Sequence, residues 1–283
     1  MMADEPMRVA VITGASSGIG RELAKALAAQ GWRIIGTGRN PARIADAEAE
    51  IFGVSTSGRV EMLHADLSLL ASARETADRI GALTDHIDLL VNNAGGMASE
   101  KVMTPEGLEA NFAGNHLGPF VLTNALLPLL RAAARDREPG AVRILNTASD
   151  ASEMIPAIDL NDMQSLERFS PGLAYCTGKL ANVLFARALA DRLGREGIAA
   201  HSNFFSYAPA DTQERARGLE KVTEAEGADT LIWLATDSAG WRTNGGYWFR
   251  RELRTPNPVV NNQAIVDRFW IESERLVATA AGA

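Results

Sequence analysis

Short apolar runs alternate with amphipathic stretches along this chain. Arg8–Ile12, Arg33–Thr37, Val60–His64, Ile87–Val91, Val142–Asn146, Ala199–Phe205 and Gly246–Phe249 are compact and rich in aliphatic residues, which predicts strands. Ile87–Val91 (IDLLV) is uninterrupted, the pattern of a strand buried on both faces of a parallel sheet. Helical spacing is expected over Arg21–Gln30, Pro41–Phe52, Leu67–Leu83, Pro105–Phe112, Leu117–Arg137, Ser170–Arg192, Glu224–Thr236 and Asn261–Ala278. Pro128 is expected to bend the second of the two stretches between residues 105 and 137. Strands alternating with helices, joined by right-handed crossovers, predict an α/β fold: a doubly wound parallel sheet of about seven strands with helices on both faces. No repeat, low-complexity block or linker interrupts the pattern, so residues 1–283 are read as a single domain with a C-terminal helical tail.

Composition narrows the function classes. The chain is 46% hydrophobic with a net charge of −7, and no basic patch points to nucleic acid. Cys176 is the only cysteine, which excludes an internal disulfide and a cysteine-based zinc site. His64, His86, His116 and His201 lack metal-ligand spacing, so no metal is expected. The start, MMADEPMR, has no apolar leader. The nearly uncharged run Phe112–Leu130 carries Asn115, His116 and Asn124 and reads as a buried helix rather than a membrane span, so a cytoplasmic protein is expected.

Candidate chemistry centres on Ser170–Arg192. Ser170 is suited to cap this helix and Pro171 to its first position. Leu180, Val183, Leu184, Ala188 and Leu189 form an apolar stripe. Tyr175 and Lys179 are four apart and share a face. A phenol is about three units too weak an acid for neutral pH, a gap of roughly 4 kcal/mol that a fixed cation helps to close. The first strand runs into TGASSGIG, residues 13–20, whose glycines permit a tight turn and close approach of a pyrophosphate to the next helix. The second strand ends Thr37-Gly38-Arg39 with no carboxylate to grip a ribose 2′-hydroxyl; Arg39 suits a 2′-phosphate, which favours NADP(H) over NAD(H).

These motifs together resemble the short-chain dehydrogenase/reductase superfamily, over about Val9 to Leu276. The resemblance implies a Rossmann fold, with Gly14, Ser16, Ser17, Gly18, Ile19 and Gly20 at the cofactor, Asp66 and Leu67 at its adenine, and Asn93, Ala94 and Gly95 at its pocket. It implies a tetrad of Asn115, Ser149, Tyr175 and Lys179, with Tyr175 and Lys179 also touching the cofactor. In that tetrad Tyr175 exchanges the proton, Lys179 acidifies it, Ser149 bonds the reacting oxygen, and Asn115 holds a water behind Lys179. NHLGPFVLT (115–123) and AYCTGKLANVL (174–184) are similar to the retinol-dehydrogenase-like and WW-domain-oxidoreductase-like branch; no WW domain is recognised here. The implied activity is NADP(H)-dependent interconversion of a small-molecule carbonyl and its alcohol. A nucleotide sensor with little catalysis, or a non-redox member such as an epimerase, is the alternative. Family members commonly form homodimers or homotetramers through the helix before the fifth strand and the Tyr175 helix.

One segment departs from the pattern. Phe205-Ser206 stands where the superfamily has Pro-Gly, and Thr212 is the candidate for the threonine that contacts the carboxamide. Residues 207–223 are short and charged. They are read either as a reduced lid over an open site or as a weak hold on the carboxamide. Phe204, Phe205, Tyr207 and Met154 line an apolar pocket in one reading and close the sheet end in the other; Trp241, Trp248 and Phe249 are read as packing.

Overall fold

A computed structural model describes residues 7–204 and 222–281, the side chains of Ala239, Trp241 and Ala281 excepted. The strands are β1 (Val9–Ile12), β2 (Arg33–Gly38), β3 (Val60–His64), β4 (Leu89–Asn92), β5 (Val142–Thr147), β6 (Ile198–Asn203), β7 (Tyr247–Phe249) and β8 (Glu252–Arg254). They form one sheet in the order β3-β2-β1-β4-β5-β6-β7-β8, parallel except for the β7–β8 pair. The crossover from β3 to β4 reverses the winding, so a crevice opens where β1 and β4 lie side by side, at the strands' carboxyl ends. The eighth strand exceeds the expected seven. It is an exposed three-residue edge, reached through Arg250 and Arg251 in left-handed backbone conformations, and is too polar to stand out as a strand in the sequence.

Helices α1 (Gly18–Ala29), α2 (Pro41–Val54) and α7 (Glu224–Thr236) cover one face, where Ile12, Leu23, Leu27, Ile34, Leu231 and Trp248 form a core. On the other face lie α3 (Leu70–Leu83), α5 (Gly118–Ala134), α6 (Pro171–Leu193) and α8 (Gln263–Ala281), around Val11, Leu90, Phe112, Ile144, Leu184 and Phe269. The helix expected from Pro105 starts later, as α4 (Ala110–Phe112). Glu109, fully buried, sets that start because its carboxylate accepts the Asn111 and Phe112 N–H groups at 3.0 and 2.7 Å. A π-helical turn, Ala113–Leu117, joins α4 to α5, which continues through Pro128. By length and composition Ala110–Ala134 is apolar enough to cross a membrane; here Phe120, Leu122, Leu126 and Leu130 sit in the core.

Helix α6 is buried on nearly every side beyond Ala174, not along one stripe. The second cover is α8: Trp270 meets Phe185 and Phe120, and the Arg192 guanidinium lies 4.1 Å from its ring centre. At the other end of the sheet, buried Arg143 donates to the carbonyls of Gly140 and Leu234. His201 bonds the Gly240 carbonyl and accepts from Gly246 N and Trp248 Nε1, so it is a core residue. Phe204 stacks on Tyr247 and Phe249 and closes the sheet end, Trp248 is buried as packing, and Met154 is exposed. Phe205, Ser206, Tyr207 and Thr212 lie outside the described residues, as does the Trp241 side chain.

Candidate active site

The glycine turn is built by close contact. Gly14 and Gly18 take left-handed φ values of 69° and 58°. A Cβ on Gly20 would stand 2.4 Å from Gly14 O and 2.5 Å from Asn93 Nδ2, so no side chain fits there. Thr13 Oγ1 locks the turn to the next loop: it accepts from Asn93 N and Ala94 N, both at 2.9 Å, while Asn93 Nδ2 donates to Thr13 O at 2.9 Å. Ser17 precedes α1 in an extended conformation and makes no side-chain cap, leaving the first-turn N–H groups without one. Ser16 is half-buried, Ile19 is buried beneath α7, and Arg39 is exposed at the end of β2. Asp66 spends its carboxylate locally, accepting from Ser68 N at 3.0 Å and Ser68 Oγ at 2.8 Å, with Leu67 buried beside it.

Each tetrad position is set by its element. The π turn aims Asn115 at the loop after β4: its Nδ2 donates to Gly96 O and Asn111 O, both at 2.8 Å, and its Oδ1 accepts from Gly96 N at 3.3 Å. Gly95 faces both Asn115 Oδ1 and Lys179 Nζ, which would lie 2.5 and 3.3 Å from a Cβ there. Ser170 Oγ accepts Leu173 N at 3.2 Å and starts α6 with Pro171 in place, which fixes the phase of Tyr175 and Lys179. Lys179 Nζ lies 5.6 Å from the Tyr175 ring centre and donates to Thr147 O at 3.3 Å. Asn182, three residues on, donates to the same carbonyl at 2.9 Å. That spacing was the signal for Asn182, which the sequence reading missed. Ser149, buried just past β5, accepts Ala151 N at 3.3 Å and donates to Asp150 Oδ1 at 2.7 Å. Asp150 was missed too; only its adjacency to Ser149 marked it.

Burial dominates the electrostatics. It pushes the fully enclosed Lys179 ammonium down to about 8. It also raises the Tyr175 phenol, with the Ser149 hydroxyl working against that rise and the charge of Asp150 adding to it. The phenol is thus raised on balance, with burial the largest cause.

The family model for short chain dehydrogenases matches residues 8–217. A putative daunorubicin C-13 ketoreductase of Streptomyces sp. (strain C5) is 34% identical over 98% of this chain and 94% of its own length. Human retinol dehydrogenase 13 is 31% identical over 98% of this chain and 86% of its own. Among solved structures, a Pseudomonas aeruginosa RhlG/NADP active-site complex covers 85% of this chain and 93% of that one at a TM-score of 0.68 and 27% identity.

Proposed function

This chain belongs to the short-chain dehydrogenase family, in its retinol-dehydrogenase-like branch, and from that premise we propose that it interconverts a carbonyl and an alcohol with NADP(H). Membership makes it a Rossmann-fold oxidoreductase of small molecules that uses a nicotinamide dinucleotide. The observation that carries the reaction type is α6: Tyr175 and a fully enclosed Lys179 share one face, with Ser149 on the near side and Gly95 and Asn115 on the far side.

The residues fit the cofactor. The first-turn N–H groups of α1, without a side-chain cap, suit a diphosphate, and the bare Gly20 keeps the turn tight. Arg39 would pair with a 2′-phosphate, which supports NADP(H); the RhlG complex was solved with NADP. Asp66 and Leu67 would border the adenine, and Asn93, Ala94 and Gly95 the pocket, with Thr212 toward the carboxamide. When bound, the nicotinamide supplies or takes the hydride. Tyr175 hands its proton to the carbonyl oxygen in reduction and takes one from the alcohol in oxidation. Ser149 steadies the charge that grows on that oxygen. Lys179 supplies positive charge beside the phenol and would hold the nicotinamide ribose, and Asn115 keeps the loop of Gly95 and Gly96 against α6.

NADPH consumption tests the proposal on a panel that spans alkyl and aryl ketones and polyene aldehydes, a range suggested by the relatives' ketoreductase and retinol dehydrogenase activities. Tyr175→Phe should abolish turnover and leave NADPH binding within about twofold. Tight NADPH binding with no turnover on any member would replace this reading by a nucleotide sensor, and tighter NADH binding would overturn the cofactor choice. We further propose one domain in the cytoplasm that assembles as a homodimer or homotetramer. Fractionation and sedimentation check this.

A further inference from the structure

The sheet fixes the chain up to Ala148, whose N–H donates to Asn203 O at 2.7 Å. Ser149 then caps a 3-10 turn, Asp150–Glu153: its hydroxyl accepts Ala151 N at 3.3 Å and its carbonyl accepts Ser152 N at 2.9 Å. Ser152 is fully buried, and its other polar groups both reach the C-terminal part of the chain. Its Oγ lies 3.0 Å from the Tyr247 hydroxyl, and its carbonyl accepts from Asn257 Nδ2 at 3.3 Å. Tyr247 gives its one proton to Glu153 Oε1 at 3.0 Å, so Ser152 is the donor to Tyr247. Asn257 Nδ2 also donates to Ile155 O at 2.7 Å, while its Oδ1 accepts Val259 N at 3.2 Å. We propose that Tyr247 and Asn257 are positioning residues of the candidate active site, which aim the Ser149 hydroxyl by holding Ser152. The proposal rests on reading Ser149 as the group that bonds the reacting oxygen.

The hold is physical and indirect. Hydrogen-bond geometry within a 3-10 turn is poor, and this turn is four residues long, so partners outside it set its orientation. Tyr247 and Asn257 are both buried, which shields their bonds to Ser152 from water and makes them costly to leave unmade. The Tyr247 ring is itself fixed, stacked on Phe204 with ring centres 4.7 Å apart. Asn257 caps the 3-10 turn Pro258–Asn261, which sets Val260 in the core just ahead of α8. The place of the Ser149 hydroxyl is thereby tied to residues 95 and 105 positions beyond Ser152 in the chain.

The Ala151 N–H probes this geometry without a substrate, because its acceptor is the Ser149 hydroxyl. Tyr247→Phe keeps the stacked ring and removes the hydroxyl; Asn257→Asp keeps the oxygen that accepts Val259 N and removes the donor to Ser152. In residue-resolved amide exchange of the intact protein, each variant should speed exchange at Ala151 and Ser152 by at least about tenfold, with the amides of α6 unchanged. Unchanged exchange at Ala151, or equal acceleration in α6, overturns the proposal. For any panel ketone or aldehyde that turns over, Tyr247→Phe should lower kcat by about tenfold, with KM for NADPH within about twofold. An unchanged kcat, or a loss carried by KM for NADPH, refutes action through Ser149. If no panel member turns over, the function reading fails, and exchange at Ala151 still decides the role of Tyr247 and Asn257.

Discussion

Acid should loosen the helix that backs the candidate active site, through His116. This residue follows Asn115 in the π turn and is fully buried among Phe112, Phe120, Phe185 and Phe269, with ring centres 4.8–5.8 Å away. Ser273 Oγ of α8 lies 2.8 Å from its Nε2 and spends its own proton on Phe269 O. Nε2 must therefore be the donor, which leaves Nδ1 bare in an apolar pocket, without a partner. Burial pushes the imidazole from 6.5 down to about 3. The unfolded chain takes up a proton near 6.5 while the folded one resists until about 3, so the associated stability is complete above 6.5 and is lost as pH falls through that window. At about pH 5 the gap is about 1.5 units, or about 2 kcal/mol. The assay is urea unfolding at pH 7 and 5 for the parent and for His116→Gln, whose amide still reaches Ser273. Between the two pH values the parent should lose about 2 kcal/mol more than the variant. His201, held down to about 4, and His86, raised, are present in both and cancel. An equal loss in both proteins would refute the argument.

Three further perturbations address the nucleotide turn and the Tyr175 helix. Gly20→Ala forces a Cβ against Gly14 O and Asn93 Nδ2, so calorimetry should show NADPH affinity down at least about tenfold and stability down by about 1–3 kcal/mol. Unchanged binding would remove this turn from the nucleotide site. Ser170→Ala removes the Leu173 N–H acceptor and should cost about 1 kcal/mol in urea unfolding; a change below about 0.3 kcal/mol would show that Pro171 alone sets the helix start. Glu224 pairs with Arg21 at 3.6 Å and is the nearest group to the open side of Gly18, where it opposes a diphosphate. Glu224→Gln should tighten NADPH binding by about threefold at low salt and less at high salt, and weaker binding would count against that placement.

Much of this architecture was legible because period and punctuation coincide. Val60–His64 and Glu224–Thr236 fall where the apolar pattern places them, and Ser170 before Pro171 caps α6 as its side chain suggests. The glycine turn was readable because its contacts are backbone contacts that only glycine permits. What escaped depends on tertiary partners. The late start of α4 comes from a buried carboxylate, Glu109, whose own N–H bonds the distant Gln164. The enclosure of α6 comes from α8, roughly a hundred residues away in the chain, so a one-sided stripe in the sequence understates it. The burial of Tyr175 and Lys179 was not legible either, because adjacency along a helix is visible in a sequence, whereas the loss of solvent around both groups is not.

The π turn at Ala113–Leu117 differs from an ordinary helix by the count of its residues, not by their chemistry. Closing it into α-helix takes a deletion, which would rotate everything from Gly118 onward by about 100° relative to Asn111 and pull Phe120, Leu122 and Leu126 out of phase with the core. A lineage that accumulates point substitutions here can change the side chain at 115 but not the direction in which that position looks. The aim of Asn115 is thus held by the reading frame of the helix itself, a form of inheritance that only an insertion or a deletion can erase.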